Sequence, residues 1–359
     1  MVKSLFKFWY FPVLLFVFVS CNNDDEVPEQ PTGIPNIQQY VRVNREAGSQ
    51  QYDFEFAKSG RWEIFQGERV DAINMETPVA TSNGEDCSVK GLDSLQRYYF
   101  KLKYNDVSQA VISETKVAVH GQPNLRDLGG IINKEGKSIV WGKLFRSGDL
   151  SRLTESDLKY LESIGIKRVI DFRFEEEVLN APDLIPEGAE RISLPVEDSL
   201  MHRSVMTAWL FNNDSAAFDT LLVYENKVFV TEFQDEFKSY FDYLEQGKTT
   251  LFHCSAGKDR AGFAAALLLY ALDVDEETIM ENYLKSNQYL EEFNQFTVDY
   301  VNSMGLNGDL LWPVLLVKRE YLEAALNTIN EQYGGMDNYL KNVLDVDVEK
   351  LKELYLEGQ

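Results

Sequence analysis

The chain has 359 residues, with 58 acidic and 35 basic side chains and a formal net charge of −23. This excess of negative charge argues against a nucleic-acid partner, because phosphate backbones are bound by positively charged protein surfaces. A chain of this length can bury two separate cores, so we expect more than one domain.

Residues 1–21 predict an export signal. Lys3 and Lys7 supply the positive start, and residues 8–19 form an apolar run that is too short to span a bilayer. The run ends near Cys21, which favours a bacterial lipoprotein signal in which Cys21 becomes the acylated N-terminus. An ordinary signal peptide that contains a cysteine is the alternative. We therefore expect a lipid anchor at Cys21 and a location at the periplasmic or cell-surface face of the outer membrane.

Residues 22–35 predict a solvated linker between this anchor and the folded part of the chain. The first half is polar and acidic, a composition that stays in solvent, and Pro28, Pro31 and Pro35 stiffen the second half. Acidic stretches in this position resemble those that direct some lipoproteins to the cell surface.

Residues 36–120 predict a small all-β domain. Short runs of alternating apolar and polar residues are separated by turns rich in Gly, Asn, Asp and Ser, and this period of two is typical of half-buried strands. The alternation indicates an antiparallel sandwich of the fibronectin type III or immunoglobulin kind, either a simple stalk or a substrate-presenting spacer. The predicted strands are residues 40–43, 52–56, 62–65, 98–104 and 111–119.

From residue 121 to residue 359, predicted strands and helices alternate. A capping box that begins at Thr154 predicts a helix to about residue 164. Buried strands are predicted at 166–173 and 189–196 and before Cys254, and the pattern indicates a mainly parallel sheet covered by helices, with the site at the carboxyl ends of the strands. The other predicted helices are residues 228–244, 260–272, 275–293, 313–332, 336–344 and 348–357.

The stretch from His253 to Gly262 reads His-Cys-Ser-Ala-Gly-Lys-Asp-Arg-Ala-Gly and lies between a predicted strand and an apolar helix. A loop that enters a helix directs its N–H groups inward, where the helix dipole also favours an oxyanion. Arg260 would hold that oxyanion through two parallel hydrogen bonds. The same field would lower the pKa of Cys254 and populate a nucleophilic thiolate. These features predict phosphoryl transfer through a phosphocysteine. The predicted phosphate-binding residues are Ser255, Ala256, Gly257, Lys258 and Arg260.

This loop resembles the His-Cys-x-x-Gly-Lys-Asp-Arg-x-Gly signature of the bacterial tyrosine/lipid phosphatases, a branch of the cysteine-dependent phosphatase superfamily. The resemblance covers residues 121–359. It implies a protein-tyrosine-phosphatase-like phosphoric monoester hydrolase that acts on phosphotyrosine, and also on phosphoserine, phosphothreonine or phosphoinositides. It also implies a helical lid within residues 197–226. Other stretches that match the family are residues 124–130, 144–153, 169–173, 283–287 and 333–340.

A general acid must protonate the leaving oxygen, and two aspartates compete for this role. The family uses the position of Asp259, which we favour, whereas Asp171 lies at the end of a predicted parallel strand. The structural alternatives are a salt bridge for Asp259 and a loop-anchoring hydrogen bond for Asp171. In the family, a lysine at the position of Lys258 accompanies phosphoinositide activity.

Two further side chains are supporting candidates. His253 either orients the loop or fills the core, with equal weight for the two alternatives. Arg146, like Arg126, either reaches the substrate phosphate or pairs with a neighbouring aspartate, Asp149 for Arg146 and Asp127 for Arg126.

We expect no cofactor and no metal, because the chain has three histidines and their positions, 120, 202 and 253, have no metal-binding spacing. Cys87 has no disulfide partner if Cys21 is acylated and Cys254 is catalytic. Many cysteine phosphatases carry Ser or Thr at the position of Ala261, so the resemblance implies a slow hydrolysis of the phosphocysteine here. A secreted inositol-phosphate (phytate-type) phosphatase and an inactive phospho-ligand-binding lipoprotein remain alternatives, and sulfur transfer is disfavoured.

Overall fold

The computed structural model describes residues 37–106, 108–197 and 216–357. The predicted signal, its acylation site Cys21 and the whole predicted linker lie outside these residues, and so does most of the predicted lid. All of the described residues belong to one compact unit.

The N-terminal part contains two antiparallel sheets, as the period-two pattern predicts. One sheet has the strand order β1-β2-β5 and the other has the order β4-β3-β6-β7. Their strands are β1 (Val41–Asn44), β2 (Gln51–Phe56), β3 (Trp62–Gly67), β4 (Ala80–Ser82), β5 (Asp86–Lys90), β6 (Tyr99–Tyr104) and β7 (Ser108–Ile112).

Aromatic side chains fill the space between these two sheets. Along β2, buried and exposed positions alternate, so that Phe54 and Phe56 both face inward. The ring of Phe54 meets Phe100 of the other sheet edge-on at 5.0 Å, and the ring of Phe56 stacks on Trp62 at 4.7 Å between centroids. These contacts give the N-terminal sheets an apolar core of their own.

The strand predicted at residues 111–119 ends earlier than expected, at Ile112. The next two side chains, Ser113 and Glu114, are buried and turn toward Arg97, which accounts for the departure of the chain from the sheet.

The remaining strands form a mixed sheet covered by helices. In the order β12-β11-β13-β10-β8, the first four strands are parallel and β8 is an antiparallel edge. A small antiparallel pair, β9 with β14, lies apart from this sheet. The strands are β8 (Arg126–Asp127), β9 (Ser138–Ile139), β10 (Leu144–Ser147), β11 (Arg168–Asp171), β12 (Glu190–Ser193), β13 (Thr250–His253) and β14 (Leu356–Glu357).

The helices surround this sheet. Within the described ranges, none of them combines the length and the apolar character that crossing a bilayer requires. They are α1 (Glu155–Ile164), α2 (Glu175–Asn180), α3 (Ala216–Glu232), α4 (Gln234–Leu244), α5 (Arg260–Ala271), α6 (Glu276–Tyr289), α7 (Glu291–Ser303), α8 (Trp312–Leu315), α9 (Arg319–Tyr333), α10 (Met336–Asn338) and α11 (Val348–Tyr355), with a short π-helical turn at Tyr339–Val343.

Several predicted helices are divided in the structure. The helix predicted at 228–244 is α3 and α4, which separate at Phe233, and α3 begins at Ala216, inside the predicted lid region. The helix predicted at 275–293 is α6 and α7, because the backbone turns at the buried Leu290. The helix predicted at 313–332 is α8 and α9, and the chain between them is extended. There the side chain of Asn287 binds both the N–H and the carbonyl oxygen of Val317.

Buried ion pairs join the N-terminal sheets to the mixed sheet. Arg97, which precedes β6, lies 2.9 Å from Asp127 at the end of β8 and 3.1 Å from Glu114. The hydroxyl of Tyr160 in α1 also donates a hydrogen bond to the carboxylate of Glu114, at 2.7 Å. All of these side chains are buried, so the two parts of the fold share a charged, water-excluded junction.

Candidate active site

The predicted loop lies at the carboxyl end of the central strand. β13 runs between β11 and β10, and its last residue, His253, pairs with Asp171 on one side and Ser147 on the other. We call residues Cys254 to Asp259 the cysteine loop. Helix α5 starts directly after it, and all residues of α5 except Tyr270 are buried. The positive end of a rigid, central helix therefore points at the loop.

Two glycines of the signature are required by close packing. Gly257 has a φ of +73°, and a Cβ on it would lie 2.3 Å from the carbonyl oxygen of Ser147. A Cβ on Gly262 would lie 2.7 Å from Nη2 of Arg146 and 2.8 Å from the ring of Tyr283. Larger residues at these positions would push the loop or α5 away from β10.

Five successive carbonyl oxygens of the loop bind groups behind it. His253 Nδ1 lies 3.1 Å from the carbonyl oxygen of Cys254, and Asp149 N donates to Ser255 at 2.9 Å. Asn124 Nδ2 donates to the carbonyl oxygen of Ala256 at 2.8 Å. Arg146 supplies the last two hydrogen bonds, from Nε to Gly257 at 2.9 Å and from Nη2 to Lys258 at 3.0 Å.

Since the carbonyl oxygens are engaged behind the loop, its N–H groups are available on the other side. Within residues 37–106, 108–197 and 216–357, no acceptor binds the N–H groups of residues 255–259. Together with the positive end of α5, these groups form an anion-binding concavity.

Lys258 and Asp259 form an ion pair inside this site. The Lys258 ammonium lies 2.7 Å and 3.0 Å from the two carboxylate oxygens of Asp259 and 3.4 Å from the carbonyl oxygen of Leu316. Both side chains are largely buried, and Cys254 is 2% exposed. The cysteine loop thus contains the predicted nucleophile Cys254, the Lys258 ammonium and the Asp259 carboxylate.

Arg260 is held by a carboxylate that the sequence analysis missed. Its Nη1 and Nη2 each lie 2.7 Å from an oxygen of Glu177 in α2, and Nη1 also donates to the carbonyl oxygen of Val196. Glu177 further accepts hydrogen bonds from the hydroxyl of Ser255 and from the backbone of Phe174. The sequence offers one indication of this role, because Glu177 lies in the first turn of the helix that follows strand β11.

His253 belongs to a buried charge cluster beneath Cys254. Its Nε2 lies 3.3 Å from Asp183 and 3.8 Å from Asp171. Burial lowers the pKa of His253, but the two carboxylates outweigh burial and raise the pKa above its usual value. Arg173 binds both carboxylates, and Arg191 binds Asp171 at 2.5 Å. Asp183, Arg173 and Arg191 were not among the predicted site residues.

The ligand atoms of Asp171, Asp183 and His253 lie within 4.8 Å of one another, a spacing that a metal ion could use. The two carboxylates are already paired with Arg173 and Arg191, whose positive charges oppose a bound cation. Burial alone would raise the pKa of Asp171, but His253, Arg173 and Arg191 hold it well below its usual range. Arg173 and Arg191 thus tie this cluster together at the carboxyl ends of β11 and β13.

Arg146 and Arg126 do not pair with the aspartates considered in the sequence analysis. Asp127 pairs with Arg97, and Arg146 binds the loop carbonyl oxygens instead of Asp149. Both arginine side chains are fully buried.

A surface cavity of about 800 Å³ opens beside the loop at Ser255 and Ala256. The cations Arg152 and Lys116 and the aromatic rings of Tyr289 and Phe293 contribute to its walls. The guanidinium of Arg152 lies 4.8 Å from the ring centroid of Phe293. The cavity offers both charged and aromatic contacts to a group bound at the loop.

Comparisons with known proteins agree with this geometry. The model of the tyrosine phosphatase family matches residues 117–357. A protein of Cupriavidus necator assigned to the tyrosine-protein phosphatases is 35% identical over 235 residues, which are 66% of this chain and 86% of that protein.

Two further relatives are similar to more than half of the chain. The triple specificity protein phosphatase of Mycobacterium tuberculosis is 30% identical over 235 residues, 56% of this chain and 85% of that protein. A tyrosine-protein phosphatase of Nostoc commune is 31% identical over 222 residues, 58% of this chain and 72% of that protein. The resemblance stated from the loop is thereby confirmed. The chain belongs to the tyrosine phosphatase family.

Proposed function

We propose that this enzyme hydrolyses phosphate monoesters, phosphotyrosine foremost, through a phosphocysteine on Cys254. The observation that carries the proposal is the arrangement of the cysteine loop. Its carbonyl oxygens are bound behind it by His253, Asp149, Asn124 and Arg146, so that its N–H groups and the positive end of α5 converge in front of Cys254.

In the first step, the Cys254 thiolate attacks phosphorus, a sulfur–phosphorus bond forms and the bond to the leaving oxygen breaks. The N–H groups of the loop and the Arg260 guanidinium would hold the equatorial oxygens. Asp259 would give its proton to the leaving oxygen. In the second step, water attacks phosphorus, Asp259 takes a proton from that water, and the thiolate leaves as inorganic phosphate is released.

The environments of the two aspartates support Asp259 as this acid. Asp171 is fully buried and its charge is held by Arg173 and Arg191. Asp259 lies in the loop itself, and its only close cation among the described residues is Lys258. A phosphate dianion in the loop would compete for the Lys258 ammonium, and this would free Asp259 to carry a proton.

For the substrates, we propose phosphotyrosine together with phosphoserine, phosphothreonine or phosphoinositides. Lys258 places a second positive charge at the loop, and the relative from Mycobacterium tuberculosis is named for triple specificity. A phytate-type inositol-phosphate phosphatase would use the same loop and is the second enzyme candidate. An inactive phospho-ligand-binding protein is disfavoured by the presence of Cys254, Asp259 and Arg260 in one site.

The deciding experiment compares the wild type with Cys254→Ser on phosphotyrosine, phosphoserine, a phosphoinositide and phytate. We expect release of inorganic phosphate from phosphotyrosine by the wild type and none by the variant. Turnover by Cys254→Ser would exclude the phosphocysteine mechanism. A preference for phytate over phosphotyrosine would favour the second candidate, and binding without turnover in the wild type would favour the non-enzymatic one.

For the N-terminal region, we propose a lipid-anchored export form in which the two antiparallel sheets are a fibronectin- or immunoglobulin-like sandwich. The sequence of residues 1–35, with its short apolar run, Cys21 and acidic linker, supports the anchor. The facing aromatic side chains of the two sheets support the sandwich. Metabolic labelling with a fatty acid, lost in Cys21→Ser, tests the anchor, and protease treatment of intact cells separates a surface location from a periplasmic one.

A further inference from the structure

Six arginine side chains in the described part of the chain are fully buried, and four of them are paired with carboxylates. The partners are Glu114 and Asp127 for Arg97, Glu190 for Arg168, Asp171 and Asp183 for Arg173, and Glu177 for Arg260. The other two, Arg126 and Arg146, form no ion pair with any residue of the described ranges. Arg146 donates to two carbonyl oxygens of the cysteine loop, and Arg126 lies opposite Arg146 on the neighbouring strand β8.

Arg126 and Arg146 are neighbours, and neutral acceptors surround them. Both donate to the hydroxyl of Ser286, at 3.1 Å and 3.3 Å, and both bind Asn282, through its carbonyl oxygen and its side-chain oxygen respectively. Arg126 also binds the carbonyl and side-chain oxygens of Asn124. The hydrogen-bonding groups are well matched, but neither guanidinium has a carboxylate of the described residues within ion-pair distance.

Such an arrangement is unfavourable in isolation, because buried charges are costly when they are unpaired. Burial, and then the charge of Arg146, lowers the pKa of Arg126 well below its usual value. Burial likewise lowers the pKa of Arg146 to about 10, against the opposing influence of Tyr283, Cys254 and Asp259. A further negative charge at the cysteine loop, in addition to that of Asp259, would therefore stabilise this pair.

We propose that Arg126 and Arg146 are positioning residues whose charges are balanced by the oxyanion bound in the cysteine loop. The inference rests on the proposed function, since the oxyanion is the substrate phosphate. Arg146 also fixes the loop directly through the carbonyl oxygens of Gly257 and Lys258. Arg126 donates to no residue of the loop, so its contribution to phosphate binding is through charge and through Asn124.

Because Arg126 makes no direct contact with the loop, a substitution of Arg126 tests the effect of its charge on oxyanion binding. Arg126→Met removes the charge at similar length, whereas Arg126→Lys keeps it. The matched control is Arg168→Met, which removes a buried arginine from the first residue of β11, at the end of the strand away from the loop. The probe is inorganic orthovanadate, whose dissociation constant is measured by calorimetry, with thermal unfolding of each variant recorded in parallel.

We expect the wild type to bind vanadate. Arg126→Met should weaken the vanadate affinity by at least about tenfold, whereas the affinity of Arg126→Lys should stay close to that of the wild type. Arg168→Met should lower thermal stability and leave vanadate affinity within about twofold, because its charge lies far from the loop. If Arg126→Met does not fold, Arg126→Gln gives the same comparison, since it is neutral and still forms hydrogen bonds.

Two outcomes would overturn the proposal: unchanged vanadate affinity in a folded, neutral Arg126 variant, and equal weakening in Arg126→Lys and Arg126→Met. The first would show that the charge is irrelevant, and the second that only the shape of the guanidinium matters. Failure of the wild type to bind vanadate would instead contradict the proposed function itself.

Discussion

Glu177 and Arg260 face each other at the cysteine loop, joined by two hydrogen bonds of 2.7 Å between the carboxylate and the guanidinium. The same carboxylate accepts from the Ser255 hydroxyl and from the backbone of Phe174. Glu177 therefore fixes the plane of the guanidinium and ties α2 to both ends of the loop. Glu177 thus holds both terminal nitrogens of Arg260.

Glu177→Gln should lower kcat/KM by about 10- to 100-fold, because an amide places one N–H donor against a guanidinium that has only donors. The measurement is steady-state hydrolysis of p-nitrophenyl phosphate. Glu175→Gln is the control, since Glu175 is exposed in the same turn of α2. Equal activity of the two variants would contradict the role given to Glu177.

The same pair predicts a pH dependence of stability. Burial would raise the pKa of Glu177, but Arg260 and Ser255 outweigh it and hold the pKa below the ordinary value of 4.5. Its stabilising effect is thus complete above about pH 4.5 and is lost as the pH falls through the lowered pKa of the folded state. The difference in unfolding free energy between wild type and Glu177→Gln should therefore shrink below pH 4.5, measured by urea titration. A difference that grew on acidification would be contrary to this expectation.

Asp259→Asn should lose turnover mainly on substrates with poor leaving groups, such as alkyl phosphates, and much less on p-nitrophenyl phosphate. Asp171→Asn should lower stability instead, because it leaves the buried Arg173 and the partly exposed Arg191 with less negative charge. The check is the dependence of kcat on leaving-group pKa for both variants. A steeper dependence in Asp171→Asn alone would reverse the assignment.

Arg97→Met should destabilise the protein by about 3–5 kcal/mol, because Asp127 and Glu114 would stay buried without their cation. Arg69→Met is the matched control, since the Arg69 ion pair with Asp71 is exposed. Loss of this pair should leave the free energy of unfolding unchanged. Denaturant unfolding of both variants gives the comparison. Similar stabilities would mean that the junction between the sheets is not held by this charge network.

Ala261→Ser should raise the steady-state rate and reduce any initial burst of product, if the missing hydroxyl slows hydrolysis of the phosphocysteine. Ala261 is fully buried in the first turn of α5, so Ser is a safer substitution than the larger Thr. Rapid-mixing kinetics with p-nitrophenyl phosphate separate the two steps. An unchanged rate of phosphocysteine hydrolysis in Ala261→Ser would show that Ala261 does not limit this step.

The sequence pattern predicted the local features well. Alternation along β2, the capping box at Thr154 and the strand-loop-helix around Cys254 all depend on neighbouring residues, and the structure has them. The breaks at Phe233 and Leu290 were missed, because apolar residues continue through both turns and hide them.

Contacts between distant residues were not predictable in the same way. Glu177 and Arg260 are 83 positions apart, and only the folded sheet brings α2 to the cysteine loop. Asp183 likewise reaches His253 from a segment with no predicted element, and Arg191 reaches Asp171 from the neighbouring strand β12. A carboxylate in an acidic run such as Glu175–Glu177 gives no sign, from sequence alone, of which member turns inward.

The buried pair of Arg97 and Asp127 crosses the boundary of the region that the family model matches. Asp127 lies inside the region that the family model matches, which begins at residue 117, and Arg97 lies before it. Without the N-terminal sheets, this carboxylate would keep the backbone N–H groups of Gly129 and Gly142 and lose its cation. The part of the chain that matches the family therefore contains a buried aspartate whose cation comes from outside that part.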